Sequence, residues 1–186
     1  MATWARQFRD IPETLAARPE LRAVVQTLLV AREIPVKVTE GGDRRARRKA
    51  ILGALFDGRV TLDEAIAQTE QQLPREASPH HESNLVFAKG WARRLIHTHT
   101  SVLYCWGVLE LLLLTGEPTC YVPHSTAEAP TSSCSKLLAG KHHDTRVMRD
   151  RLVQAYHEKK PMRVPVIPNH PHCTHVIAPV SEDLDR

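Results

Sequence analysis

The 186-residue chain is 42% apolar and 25% charged, the balance of a soluble globular protein with room for one respectable core, or for a helical region plus a small module, but not for two full cores. Its formal charge of +4 is unevenly placed: residues 1–60 hold twelve Lys/Arg against seven Asp/Glu, and the remainder holds thirteen against fourteen. Whatever basic character exists belongs to the N-terminal third.

The chain opens without an apolar signal segment, and its most lipophilic run, Leu111 to Leu114 beside Glu110, is too short to span a bilayer. A soluble protein made in a cytosol, with no membrane partner, is expected. The four cysteines, Cys105, Cys120, Cys134 and Cys173, are then free thiols or metal ligands rather than disulfides.

Residues 20–33 place Leu21, Val24, Val25, Leu28 and Leu29 at helical spacing between Pro19 and Pro35. After the Thr39–Asp43 loop, Asp43 is positioned to cap a second helix that begins with Arg44, Arg45, Arg47, Arg48 and Lys49. These five cations are candidate contacts for DNA or for an acidic partner; the alternative is a solvated face. Thr61-Leu62-Asp63-Glu64 is a capping-box pattern opening a third helix that ends near Leu73-Pro74.

Residues 75–83 read as a polar hinge. The longest helical pattern follows, from about Asn84 to Thr115, capped by Ser83 and closed by Gly116. Ala88, Ala92, Leu95, His99, Val102, Trp106, Leu109 and Leu113 recur at steps of four and three, a seam suited to scaffold or oligomer contact. Leu111, Leu112 and Leu114 make the far end apolar nearly all round, so burial is expected there. Cys105 lies in the middle of this helix, where nothing lowers a thiol pKa, and is not expected to be a nucleophile.

Beyond Gly116 the texture changes to a short strand at 118–123, a polar loop at 124–133, a helical turn from Cys134 to Gly140, a helix from Thr145 to His157, and extended pieces near 162–166 and 175–178. The fold class is α+β, mainly α. The chain divides into a basic helical region 1–74, the hinge 75–83, the long helix 84–116, a small Cys/His-containing mixed module 117–180, and a frayed tail 181–186. Within the module, Pro165 to Pro179 packs His170, His172, Cys173 and His175 into six residues between helix-breaking prolines. Zinc takes Cys and His ligands in such short-spaced pairs, with a distant partner completing the set. His170 and Cys173 form the orthodox pair, and Cys134 is the distant partner. The alternative is a hydrogen-bonded turn around a buried thiol.

The order of these pieces resembles the phage minor head proteins of the Mu F type, the head-morphogenesis family. The resemblance rests on Ala92-Arg93-Arg94-Leu95-Ile96-His97-Thr98-His99-Thr100-Ser101 continuing through Gly107 to Gly116, on Cys134-x-x-Leu137-x-x-Gly140, and on Ile167-Pro168-Asn169-His170-Pro171-His172-Cys173-Thr174-His175 with Pro179 behind it. It covers about residues 85–180. Thr131 stands in place of the family's first paired cysteine, His99 in place of a glutamate, and His172 and Thr174 in place of Asn and Arg. The ligand set is therefore expected in rearranged form: Cys134, His170, Cys173 and His175 are the candidates for structural zinc, with His142 and Cys120 as alternatives to His170. The resemblance implies a non-enzymatic virion component made in the host bacterial cytoplasm, bound near the portal or major capsid protein and assisting head assembly, DNA packaging or ejection. The competing expectation is an HNH-like metal-dependent nuclease or effector domain.

Overall fold

A computed structural model describes residues 4–161 and 163–180. The fold is α+β and mainly helical. Its α-helices are α1 (Ile11–Ala17), α2 (Pro19–Ala31), α3 (Arg44–Phe56), α4 (Leu62–Gln72), α5 (Trp91–Leu114), α6 (Ser133–Leu137) and α7 (Thr145–Leu152), the last running on as a wider turn over Val153–His157. Strands β1 (Thr119–Val122), β2 (Lys141–Asp144) and β3 (Ala178–Pro179) form an antiparallel sheet in the order β2-β1-β3. The expected tail, Ser181 to Arg186, lies outside the described residues, and among those described no helix is long and apolar enough to cross a membrane.

The sequence signals that rest on local chemistry are realised. Pro19 occupies the first position of α2, where its missing N–H costs nothing. Thr61 and Glu64 cap α4 reciprocally, the Thr61 N–H reaching the Glu64 carboxylate at 2.7 Å and the Glu64 N–H the Thr61 hydroxyl at 3.3 Å. Asp43 differs: its side chain makes no cap hydrogen bond and instead pairs with Arg47 at 2.8 Å, one turn along.

Helix α5 starts seven residues later than the periodicity suggests. Ser83 caps only an isolated turn, through the Val86 N–H at 3.3 Å, and Gly90 then takes the left-handed backbone (φ 74°) that re-aims the chain before Trp91. Burial along α5 also departs from a seam. Every residue from His99 to Leu109 is buried, whereas Leu114 at the far end is 77% exposed. The helix packs against α2, α4, α7 and β3, and Leu114 lies at the edge of a groove that the helix shares with α2. A Cβ built on Gly107 would lie 2.5 Å from Val25 Cγ2, so the absence of a side chain there is what lets α2 cross so closely.

One connected cluster of buried apolar side chains runs from Ala5 to Ile177. It joins the helices on both sides of the 75–83 segment to β1, α7 and the Pro-rich motif.

The basic run of α3 is divided by this packing. Arg44 is 4% exposed and donates to the carbonyls of Val38 (2.8 Å), Pro74 (2.7 Å) and Leu73 (2.9 Å). Arg48 is 2% exposed, donates to the Ile34 carbonyl at 3.0 Å and pairs with Glu33 at 3.1 Å. Burial lowers the pKa of both guanidinium groups from the ordinary arginine value. These two residues are corrected from partner contacts to internal ties that satisfy loop carbonyls. Arg45 and Arg47 are exposed and Lys49 is half-buried, with Arg47 engaged by Asp43 and Lys49 by the Val30 carbonyl and Glu33.

Candidate metal centre

Three short pieces of chain build the centre. The first is α6, whose N-cap Ser132 accepts from the Ser135 N–H at 3.2 Å and whose first turn buries Cys134 completely. The second is the Pro-rich motif. Its turn His170-Pro171-His172-Cys173 is closed by the Cys173 N–H donating to the His170 carbonyl at 3.0 Å, which puts the two side chains on one side of the loop. The third is the loop after β1, which delivers Glu128.

The four donors converge. Cys134 Sγ lies 3.9 Å from Cys173 Sγ and 3.7 Å from His170 Nε2, and His170 Nε2 lies 3.4 Å from Glu128 Oε1. All four ligand atoms fall within 4.8 Å of one another and could hold a metal ion. Glu128 is aimed by the Thr174 N–H (3.0 Å) and hydroxyl (3.3 Å), both on its Oε2, which leaves Oε1 turned to His170. Its side chain is 9% exposed, and both cysteines are fully buried.

The predicted residues are distributed accordingly. Cys134, His170 and Cys173 belong to the mutual set. His175 stands beside it, 1% exposed, with Nδ1 3.9 Å from both Cys173 Sγ and Glu128 Oε2 and with Nε2 3.4 Å from the Ser135 hydroxyl. His142 lies on β2 against the Tyr121 ring, and Cys120 is buried on β1; neither joins the set. Burial pushes the Cys105 and Cys120 thiols up to about 12, which leaves them unreactive, as expected for Cys105 on a buried helix.

Glu128 escaped the sequence reading. The available signal was modest: it is the single carboxylate between His124 and Ser133.

Burial first, and then the neighbouring Cys134 sulfur and Glu128, raise the Cys173 pKa, so that without a cation its proton stays on. Burial lowers the His175 pKa, with Glu128 opposing, so that its ring is held neutral. A bound cation would reverse the balance at Cys173 by stabilising the thiolate.

The motif is also fastened from outside. The Asn169 amide donates to the Ser133 hydroxyl at 2.9 Å, the Tyr156 hydroxyl to the Pro168 carbonyl at 2.8 Å, and the Phe8 N–H to the Thr174 carbonyl at 2.8 Å. The Phe8 ring stacks on His97 of α5 at 3.6 Å.

No family model matches the chain, and no match was found among curated proteins or solved structures.

Proposed function

We propose that Glu128, Cys134, His170 and Cys173 bind a structural zinc ion, and that the protein is a phage minor head protein acting in head morphogenesis. The observation that carries the metal reading is a match of distances. Tetrahedral zinc, with bonds of ~2.3 Å to sulfur and ~2.0–2.1 Å to nitrogen or oxygen, sets donor separations of ~3.8 Å for sulfur to sulfur, ~3.6 Å for sulfur to nitrogen and ~3.4 Å for nitrogen to oxygen. Three of the six separations here are 3.9, 3.7 and 3.4 Å, and the other three lie within 4.8 Å. Two buried sulfurs with an imidazole and a carboxylate at the edge make a set of four donors, which supports a structural clasp over a hydrolytic centre with an open position. Placed there, the ion would tie α6 and the loop after β1 to the Pro-rich motif.

The virion role rests on the ordered resemblance. Its middle element, at Cys134, and its terminal element, at His170 to His175, meet at one centre, which supports treating them as a single module. Portal and major capsid proteins are the partners, and Arg45 is the exposed cation of α3 left for DNA or an acidic surface.

Metal analysis of the purified chain tests the first part: about one zinc per chain is expected, lost with the Cys134→Ser and Cys173→Ser substitutions. Co-purification with portal or major capsid protein tests the second, and absence from assembled particles refutes it whatever the metal content. DNA cutting in magnesium or manganese that disappears in His170→Ala would replace both parts with the nuclease alternative.

A further inference from the structure

The seam that periodicity assigns to oligomer contact is spent inside the chain: His99, Val102, Trp106 and Leu109 are all buried. The apolar surface without a partner lies elsewhere, in a groove of about 410 Å³ between the outer face of α2 and the last turn of α5. Val24, Leu28 and Ala31 of α2 give it an apolar floor, and Leu114 of α5 stands at its edge, 77% exposed. Contiguous apolar surface of this kind marks a contact with another molecule.

Two charged groups complete the lining, and both are set against one aromatic side chain. Arg32, at the end of α2, holds its guanidinium 6.0 Å from the Trp106 ring centroid, and Glu110 of α5 accepts from the Trp106 indole N–H at 2.9 Å. Among the described residues neither group makes an ion pair. One cation and one carboxylate are therefore left over in the same groove.

This set is complementary to itself. In a two-fold contact each element of a patch meets a different element of the same patch on the other molecule. Such a contact requires a knob for every hollow and a cation for every carboxylate, all on one face. The groove supplies both matches, Leu114 for the α2 floor and Arg32 for Glu110. A face carrying one shape or one sign of charge would call for a partner of different sequence.

We propose that this groove is the interface of a homodimer, in which Leu114 of each chain enters the α2 hollow of the other and Arg32 of each pairs with the partner's Glu110. The interface is independent of the zinc and virion readings, because none of the four metal donors lines it and no element of the resemblance is needed to build it.

Analytical ultracentrifugation of the full chain from ~1 to ~300 µM tests the interface. The mass is expected to rise with concentration toward twice 20.9 kDa. Leu114→Glu, a change at a position that is solvent-exposed in the single chain, is expected to weaken the dimer by about tenfold or more by carrying a charge into the hollow. Arg32→Glu and Glu110→Arg, each alone, set like charges against each other and are expected to weaken self-association by about tenfold or more. Mixing these two variant chains restores opposite charges at both pairs and is expected to restore dimers, which no ion pair formed within one chain could do. The proposal is overturned if the unsubstituted chain stays monomeric at the highest concentration, if Leu114→Glu dimerises unchanged, or if the mixture of folded variants associates no better than either alone. The first of these results would give the groove to a partner of different sequence, and it does not depend on any variant folding.

Discussion

Replacing Glu128 with Gln is the most direct probe of the candidate metal centre, because it keeps the side-chain shape and an oxygen for the Thr174 N–H while removing the charge that faces His170 at 3.4 Å. Loss of an outer contact to a metal ligand typically weakens affinity by about 10- to 100-fold, and loss of one of four donors should do at least as much. That range corresponds to ~1.4–2.8 kcal/mol. With zinc in excess, the same amount is removed from apparent stability. At about 2–4 °C per kcal/mol for a chain of this size, the melting temperature should fall by roughly 3–11 °C. Competition with a zinc-responsive dye measures the affinity, and thermal melts with zinc and with chelator measure the stability. The difference between Glu128→Gln and the unsubstituted chain should vanish in chelator. Zinc binding as tight as that of the unsubstituted chain, combined with loss of binding in His175→Ala, would refute Glu128 as the fourth donor and install His175. An equal drop in zinc and in chelator would make Glu128 a fold residue acting through Thr174.

Three further outcomes follow from the same structure. Zinc affinity should fall by at least about tenfold for each unit drop in pH below neutral, because the raised Cys173 pKa keeps the thiol protonated until the ion displaces that proton; affinity independent of pH from 8 to 6, taken as rough limits, would contradict a thiolate ligand set. Arg44→Leu, which strands the carbonyls of Val38, Leu73 and Pro74, should cost about 3 kcal/mol or more in urea unfolding, while Arg45→Ala should cost under ~0.5 kcal/mol. Gly107→Ala should destabilise by about 1–3 kcal/mol through overlap with Val25, and a double-mutant cycle with Val25→Ala should recover part of it; additive effects would place the strain elsewhere.

Legibility in the sequence followed the range of the interactions. Helices α2 and α4 could be read because Pro19 and the Thr61–Glu64 box act within one turn of themselves. The cations of α3 could be seen as a cluster, but that Arg44 and Arg48 turn inward depends on carbonyls at Ile34, Val38, Leu73 and Pro74, which only the packing of α3 against its flanking loops brings near. The late start of α5 turns on Gly90, whose left-handed backbone leaves no periodic trace. At the candidate metal centre, three of the four residues lie in motifs with their own Cys and His spacing. Glu128 lies in a loop of ordinary polar composition, and its approach is set by Thr174, which is distant in sequence. Strand β2 was missed because Lys141-His142-His143-Asp144 is an exposed edge whose polar side chains carry no alternation; it is a strand only by pairing with β1.

The hydrogen bond from Phe8 to Thr174 sets an order of events during synthesis. A chain emerging from the ribosome N-terminus first has its opening turn complete long before the carbonyl it must meet exists. At about 5–20 residues per second, that turn waits on the order of 10–30 s. Until then His97 lacks the Pro-rich loop at its side and Cys134 lacks Cys173. The stretch around Thr174 is therefore the one that seats the Phe8 turn, and a chain cut short before residue 173 would lose that seat together with a donor of the candidate metal centre.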